Sequence, residues 1–426
     1  MAVNKRLVTN IASMTLWQVG NYLVPLLTYP FLTRVLDVRG YGQFTFSFGI
    51  IAYFVLITDW GFGMSASAEV AQNRDDPARI SEIFWGTMAT KLMLAVGCIV
   101  VLGILTLVVP DLGIIAPILF AASGLIIANL ITVFWCLQGL EQLGFFAVIA
   151  LVCRVLVVPA TFLLVHGPAD VWIAALVQAA GALLAGIASL ELLRRQRIIG
   201  TPVFTNVTIV SRMKSSWHLF LAAASANLYT TTNIVVVGTL LGPVAAGIYT
   251  AADRLRAAAQ NVIQPISQAA YPRSCRLMAE SPERAMQFAR KILAAQASIT
   301  VLVTTALFFG APLIIHILAG PRYAASVAVL QILALSPLLV GISDTLGVQV
   351  MLPLGLRKSF SQIRLWAGLF NVAMVVALTL WLGVWGTAIG TIIAELYILG
   401  AMTVAVRRRN FRFFPPRPAR PVAAEV

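Results

Sequence analysis

The feature that most constrains this chain is a series of about twelve long apolar stretches, which leave no room for a soluble domain. Hydrophobic residues make up 60% of the 426 residues, and charged residues only 11%. A bilayer core about 30 Å thick needs roughly 20 apolar residues per helix. Because the stretches lack the alternation of a lipid-facing β-strand, we expect helices. The predicted spans are 9–33, 43–66, 84–109, 113–137, 144–166, 170–193, 216–238, 245–270, 291–318, 326–350, 362–382 and 385–406. They predict an all-α polytopic membrane protein with about 12 transmembrane helices.

A short pattern occurs twice, which indicates that the chain consists of two similar halves. The segment 36–44 aligns without a gap with the segment 241–249, 205 positions later. A second pair of segments, 167–174 and 383–390, lies 216 positions apart. Six predicted spans separate the copies, an even number, so both halves enter the membrane in the same direction. We therefore predict two six-helix lobes related by a pseudo-twofold axis along the membrane normal, with a cavity between them.

The basic residues predict the boundaries and the orientation of these lobes. We expect an N-terminal lobe at 1–200, a C-terminal lobe at 201–408 and a basic, proline-rich cytoplasmic tail at 409–426. If the N-terminus is cytoplasmic, most of the 30 Lys and Arg residues fall in cytoplasmic loops, including Arg212 in the loop between the lobes. The outer side receives only Arg34, Arg39 and Arg322. Both termini are therefore predicted to be cytoplasmic.

The same distribution argues against nucleic acid as a partner. The net charge of +14 comes from short loops beside the spans, where basic residues lie against anionic lipid headgroups. The four cysteines and three histidines form no metal-binding pattern, and no phosphate-binding loop or nucleophile motif occurs. We therefore expect neither an enzyme nor a bound cofactor.

Five basic residues within or beside the spans are candidates to bind an anionic substrate. A charged residue within the membrane costs roughly 2.5–3.5 kcal/mol on insertion scales, so it is a functional candidate. A guanidinium group also suits phosphate oxygens geometrically. The candidates are Arg154, Arg254, Arg256, Lys91 and Arg34.

Each of these candidates also has a purely structural interpretation. Arg256 and Asp253 are three positions apart on one helix face and could neutralise each other. Arg254 points about 200° away from Arg256, so the two cannot line the same narrow groove. Lys91 could extend to the cytoplasmic surface, and Arg34 could contact a lipid headgroup.

Acidic and polar residues within the spans are candidates for ion coupling and for sugar binding. Asp59, Asp253 and Glu395 could bind H⁺ or Na⁺ during transport, or they could pair with a neighbouring arginine. Buried amides such as Asn233 and Asn371 would suit sugar hydroxyls, but interhelical hydrogen bonds are their commoner use.

Several motifs resemble one known family. The segment 134–141 reads Phe-Trp-Cys-Leu-Gln-Gly-Leu-Glu and, followed by Arg154, resembles the W-x-x-Q-G-x-E segment of bacterial polysaccharide flippases. The segment 241–252 resembles the L-G-x-x-x-x-G-x-Y-x-x-A segment of the same group, and further matches lie at 59–63 and 383–386. The group comprises the oligosaccharide and O-antigen exporters of the multidrug/oligosaccharidyl-lipid/polysaccharide exporter superfamily.

This resemblance implies a function in surface polysaccharide biosynthesis, for O-antigen, capsule or exopolysaccharide. The substrate would be an undecaprenyl-diphosphate-linked oligosaccharide, moved by alternating access from the cytoplasmic to the periplasmic leaflet of the bacterial inner membrane. Membrane lipids, a polysaccharide polymerase and a chain-length regulator are the partners it implies.

Two other function classes stay open at this point. A cation-coupled multidrug exporter of the same superfamily has the same helix count, but it would need an acidic cavity to bind cationic drugs. A polymerase or ligase of polysaccharide assembly would need a sizeable loop outside the membrane, and every predicted outer loop is short. Lipid II flippases are also similar, although they resemble fourteen-span proteins.

Overall fold

The computed structural model describes residues 20, 24–195, 199–200, 209–261 and 264–408, and its regular structure there is entirely helical. Ten helical stretches within these ranges are long and apolar enough to cross a membrane. Most of the predicted span 9–33, part of the linker between the predicted lobes and the tail from 409 to 426 lie outside the described residues.

The helices have the following bounds in chain order. They are α1 (24–35), α2 (Asp37–Asp59), α3 (Phe62–Gln72), α4 (Pro77–Val108), α5 (Pro110–Ile114), α6 (Ala116–Ile131), α7 (Phe134–Gly139), α8 (Leu143–Leu164), α9 (Val171–Arg195), α10 (Ile209–Thr230), α11 (Thr232–Gln260), α12 (Gln264–Glu280), α13 (Pro282–Leu318), α14 (Ser326–Leu333), α15 (Ser336–Asp344), α16 (Arg357–Leu382) and α17 (Val384–Arg407). A π-helical segment, Thr345–Met351, continues α15, and short 3₁₀ turns occupy Pro168–Asp170 and Pro321–Tyr323.

The helix α10 differs from the span predicted at 216–238. It begins and ends about eight residues earlier, and it is not among the ten apolar stretches. Arg212 and Lys214 in its first two turns make it more polar than a typical span. The prediction that Arg212 lies in a loop is therefore wrong, because this residue belongs to α10.

Both copies of the repeat contain a residue with a positive φ at the equivalent position. Asp37 has a φ of 59°, and Gly242, 205 positions later, has a φ of 84°. Glycine adopts this left-handed conformation freely, and aspartate tolerates it when its side chain bonds locally. The Asp37 carboxylate accepts a hydrogen bond from the Gly40 amide at 2.8 Å. Helical residues follow each of these positions, so the repeat in sequence places a positive φ at the same point in both copies.

The helices α2 and α11 pack closely at the two glycines that the repeat pairs. A Cβ atom on Gly42 would lie 1.7 Å from the carbonyl oxygen of Pro243, and one on Gly247 would lie 2.2 Å from that of Val38. Residues 38 and 243 are also 205 positions apart, so the two contacts are reciprocal. Such reciprocity is what a twofold axis between equivalent surfaces produces.

The outer surface of the bundle is apolar, as expected for a protein surrounded by lipid. Leu107, Phe309 and Trp381 are 87%, 77% and 79% exposed. In contrast, residues of α2, α4, α6, α9, α11, α13 and α14 share one buried apolar core.

Different helices meet at the two ends of the bundle, and each end takes its name from a residue there. The Tyr41 end comprises residues 34–42, 243–251 and 317–323, where α2, α11 and the end of α13 meet. The Trp60 end comprises residues 60–74, 139–141 and 209–220, where α3, α7 and α10 meet.

Candidate functional site

Two arginines, the half-buried Arg154 and the exposed Arg254, lie near each other, and neither has an ion-paired carboxylate in the part of the chain that the structure describes. Arg154 on α8 and Arg254 on α11 are close enough for their charges to repel. Within the ranges that the structure describes, neither guanidinium forms an ion pair, and the buried Nε of Arg154 has no hydrogen-bond acceptor. Two adjacent, uncompensated cations favour the binding of an anion between them.

Tyrosines complete this site and border the Tyr41 end. Tyr41, which is only 3% exposed, has its hydroxyl close to Arg254. The Tyr29 hydroxyl donates a hydrogen bond to the Ala251 carbonyl at 3.0 Å, and the rings of Tyr29 and Tyr41 meet edge to face. The arginine guanidinium groups and the Tyr41 phenol are donors that suit phosphate oxygens, whereas the single O–H donor of Tyr29 is already used on Ala251. We name Arg154, Arg254, Tyr29 and Tyr41 the arginine–tyrosine cluster.

Arg256 is not part of this cluster, because its charge is already neutralised. Its Nε lies 2.7 Å from the Asp253 carboxylate, and its Nη1 donates to Gln260 and, at 3.4 Å, to the hydroxyl of Ser336. The structure thus brings Arg154 and Arg254 together and directs Arg256 towards α15.

Lys91 forms a second buried ionic site near the Trp60 end. Its ammonium lies 3.4 Å from the Asp59 carboxylate and 3.0 Å from the Asn129 carbonyl. The Lys91 side chain is only 2% exposed, so it does not extend to a surface, whereas one third of the Asp59 side chain is exposed.

The remaining predicted site residues lie apart from the cluster. Arg34 is exposed at the Tyr41 end and donates a hydrogen bond to the Ile317 carbonyl. Glu395 is buried in the middle of α17, one helical turn after Thr391.

The buried amides Asn233 and Asn371, which the sequence offered as candidates for sugar binding, form hydrogen bonds between helices instead. Asn233 on α11 donates to the hydroxyls of Tyr249 at 3.1 Å and Thr391 at 2.9 Å. Its carbonyl oxygen accepts from Asn371 on α16 at 2.9 Å. This network joins α11, α16 and α17 at a buried site, which is the interhelical use of such residues.

The sequence reasoning missed Tyr323 and the role of Arg212. Tyr323 is fully buried, and its hydroxyl donates to the Asp37 carbonyl at 3.0 Å, which ties the Pro321–Tyr323 turn to α2. Arg212 is 8% exposed, packs against Gly86 and lies 3.7 Å from the Glu69 carboxylate. A tyrosine carries no charge at neutral pH, so a search for charged residues in apolar spans passes over it.

The Trp60 end joins the predicted lobes through aromatic and polar contacts. The indole of Trp60 stacks on Phe220 with ring centres 4.2 Å apart, and its nitrogen donates to the Met213 carbonyl at 3.1 Å. The hydroxyls of Ser65 and Ser216 are 2.7 Å apart. Both ends of the bundle therefore carry contacts between residues 1–200 and residues 201–408.

Comparison with known proteins identifies relatives along almost the whole chain. A family model described as polysaccharide biosynthesis protein matches residues 7–278, and one described as lipid II flippase MurJ matches residues 264–423. A protein of Escherichia coli (strain K12), provisionally named an O-antigen transporter, is 30% identical over 94% of this chain and 97% of its own length. A protein of Shigella dysenteriae with the same name is 28% identical over 93% of this chain and 99% of its own.

Solved structures share the fold at low sequence identity. Lipid II flippase MurJ in an inward closed conformation superposes with a TM-score of 0.71 at 14% identity, covering 92% of this chain and 87% of its own. An inward-facing multidrug resistance transporter of the MATE family and MOP superfamily gives 0.66 at 14% identity, covering 91% and 98%.

These comparisons confirm the family resemblance that the segments 134–141 and 241–252 indicated. The protein is a multi-pass membrane protein with the fold of these transporters, and its relatives are transporters rather than enzymes. The chain belongs to the polysaccharide biosynthesis protein family.

Proposed function

We propose that this protein is a flippase for undecaprenyl-diphosphate-linked oligosaccharide. It moves the headgroup from the cytoplasmic to the periplasmic leaflet of the bacterial inner membrane, for O-antigen, capsule or exopolysaccharide biosynthesis. The observation that carries the proposal is the uncompensated pair Arg154 and Arg254, which a diphosphate would neutralise. The relatives named for O-antigen transport support the same substrate class.

We further propose twelve spans arranged as an N-terminal lobe at 1–200 and a C-terminal lobe at 201–408, with the tail 409–426 and both termini cytoplasmic. The reciprocal contacts of Gly42 and Gly247 support a pseudo-twofold axis between the lobes. The positive φ values at the equivalent positions Asp37 and Gly242 support the equivalence of the two halves.

The proposed transport cycle alternates access at the two ends. In the described state the Tyr41 end is tied across the lobes by the hydrogen bonds of Tyr29 and Tyr323. Release of the headgroup on that side requires both bonds to break. The aromatic contacts of Trp60 and the Ser65–Ser216 hydrogen bond would break when the Trp60 end opens for substrate entry.

Coupling to H⁺ or Na⁺ would involve Asp59, Asp253 or Glu395. Asp59 pairs with Lys91 and Asp253 with Arg256, so protonating either carboxylate would remove the counter-charge of that cation within the membrane. Such a cation favours rearrangement, which is how a bound proton could drive the cycle.

The test is headgroup translocation in proteoliposomes. Fluorescent undecaprenyl-diphosphate oligosaccharide is supplied in one leaflet, and its appearance in the other is followed with and without the protein. We expect protein-dependent translocation and no efflux of a cationic dye. Dye efflux driven by a proton gradient, without headgroup translocation, would favour a multidrug exporter instead.

A further inference from the structure

A buried group of polar side chains lies in the C-terminal half, outside the arginine–tyrosine cluster. We name it the serine–glutamine cluster, and its members, each at most 4% exposed, are Ser267 and Ser274 on α12, Gln296 on α13, and Thr345 and Gln349 in the π-helical segment. Thr345 donates to the Gln296 amide oxygen, and Ser274 donates to that of Gln349 at 2.6 Å. The Gln349 nitrogen donates to the Ser267 carbonyl at 2.9 Å. Because lipid surrounds the bundle, these groups must find their partners within the protein.

Asp344, the last residue of α15, borders the serine–glutamine cluster. It directly precedes Thr345, and its carboxyl group lies close to the Ser267 hydroxyl. Its Oδ2 is buried and has no hydrogen-bond donor in the part of the chain that the structure describes. Burying an ionised carboxylate with an unpartnered oxygen costs far more than burying the neutral acid. The surroundings in this state therefore suit a carboxyl group that carries a proton.

Gln296 supplies a second unpartnered atom beside Asp344. Its amide oxygen accepts from Thr345, whereas its buried Nε2 has no acceptor among the described residues. Buried polar groups without partners are rare and call for an explanation. Here one unused donor and one unused acceptor belong to residues that are connected through Thr345. A shift that brought the two together would give an ionised Asp344 the donor that it lacks.

The π-helical segment after Asp344 offers a means for such a shift. Such segments are rare and occur frequently at functional sites. This one spans seven residues, and the Leu352 amide donates to the Gly347 carbonyl at 3.0 Å. The Phe360 ring leaves no room for a Cβ on Gly347, and the Arg364 guanidinium lies 4.9 Å from the centre of this ring. A change in the segment would therefore move Asp344 relative to α13 and α16 together.

The charged groups around Asp344 differ from helix to helix. Arg364 of α16 is the charged group that acts on Asp344. On α12, the titratable residue one turn after Ser267 is Tyr271, which is neutral near pH 7. On α13, the residues one turn before and after Gln296 are uncharged.

The other two helices that pack against α15 are α17 and α11. On α17, the buried Glu395 lies one turn before Ile398, which shares a buried cluster with Leu346. On α11, Asp253 and Arg256 neutralise each other. Glu395 is therefore the carboxyl group whose titration has to be separated from that of Asp344.

We propose that Asp344 is a proton-binding site, protonated in the described state and ionised, with Arg364 and Gln296 as partners, in another state of the transport cycle. The role in transport rests on the proposed flippase function and adds a carboxyl group to the three named above for coupling. The proton comes from water on one side of the membrane and returns to water on the other. A proton fits better than Na⁺, because Arg364 and the Gln296 amide nitrogen would oppose a metal cation.

The first test is infrared difference spectroscopy of the full-length protein in maltoside detergent, which contains no carbonyl group. At neutral pH we expect the wild type to show the carbonyl stretch of a protonated carboxyl group that Asp344→Asn lacks, and alkaline pH should abolish it. The exposed Asp111→Asn is the matched control, and Glu395→Gln removes the other buried carboxyl group. Both variants should keep the Asp344 band. Identical spectra of the wild type and Asp344→Asn would overturn the proposal.

The second test is headgroup translocation in proteoliposomes under a proton gradient, with either side acidic. A gradient of about one pH unit supplies up to about a tenfold bias for each coupled proton. We expect one direction of the gradient to accelerate the wild type and Asp111→Asn by up to this factor. Asp344→Asn, which is permanently neutral, should translocate at the same rate with and without the gradient. Acceleration of Asp344→Asn by the gradient, or of the wild type by Na⁺ alone, would overturn the role in coupling.

The two readouts separate the proton site from the flippase, because the infrared band needs no transport. The band without headgroup translocation by the wild type would refute the flippase and keep the proton site. Translocation without the band would keep the flippase and refute the proton site.

Discussion

The glycine contact between α2 and α11 leads to a sharp prediction for the variant Gly42→Ala. The added Cβ would lie 1.7 Å from the Pro243 carbonyl oxygen and 2.8 Å from the Gly247 amide nitrogen. A carbon needs about 3.3 Å from a carbonyl oxygen, so the helices must separate locally by about 1.5 Å. Both neighbouring atoms belong to the backbone, so no side-chain rotation relieves the clash.

The energetic consequence follows from the packing of this contact. A gap of about 0.5–1 Å already removes a quarter to a half of the dispersion energy of the atoms that line it. Overpacking typically costs about 1–3 kcal/mol, and we expect the upper end here because backbone must move. The assay is the thermal unfolding midpoint of the detergent-solubilised protein, which should fall by several degrees.

The matched control is Gly97→Ala on α4. A Cβ there meets nothing within 4 Å, and alanine favours a helix over glycine by about 1 kcal/mol. Gly97→Ala should therefore unfold at the wild-type temperature or slightly above it. If Gly42→Ala unfolds at the same temperature as Gly97→Ala, the close reciprocal contact is not present in the protein.

Three further predictions concern side-chain contacts between helices. Asp59→Asn should destabilise the protein by about 1–3 kcal/mol in thermal unfolding because Lys91 loses its counter-charge, and the double variant with Lys91→Met should recover part of this loss. If the losses of the two single variants simply add in the double variant, the result contradicts the ion pair. Asn233→Ala should lower the unfolding midpoint because its buried partners lose their hydrogen bonds, and an unchanged midpoint would argue against the network. Cysteines replacing Ser65 and Ser216 should form a disulfide that stops transport until dithiothreitol is added; rapid transport by the oxidised protein would show that the Trp60 end does not open.

The helical framework was largely predictable because lipid imposes it. Apolar stretches of sufficient length must form helices, and the ten candidate spans lie at or overlap the predicted positions. The repeat of segments 36–44 and 241–249 also predicted which helices are equivalent, since small residues recur where backbones must approach. Their close contact at Gly42 and Gly247 needed the structure, because spacing alone does not say that two equivalent glycines meet.

The site was only partly predictable, because pairing depends on tertiary contacts. The spacing of Asp253 and Arg256 on one helix predicted their ion pair, and the structure contains it. Lys91 and Asp59 are 32 positions apart, so nothing in the sequence indicated that they meet. Tyr41 carries no charge and only stands out when its position beside Arg254 is known.

The most direct test of the proposed function is the rate of headgroup translocation by Arg254→Ala in proteoliposomes. A hydrogen bond to a charged group contributes about 1.5–3 kcal/mol, which corresponds to about a 10- to 100-fold change in rate. The control is Arg194→Ala, an exposed arginine in the last turn of α9. We predict at least a tenfold loss for Arg254→Ala and wild-type translocation for Arg194→Ala at equal protein incorporation. Wild-type translocation by Arg254→Ala would contradict the assignment of the diphosphate to the arginine–tyrosine cluster.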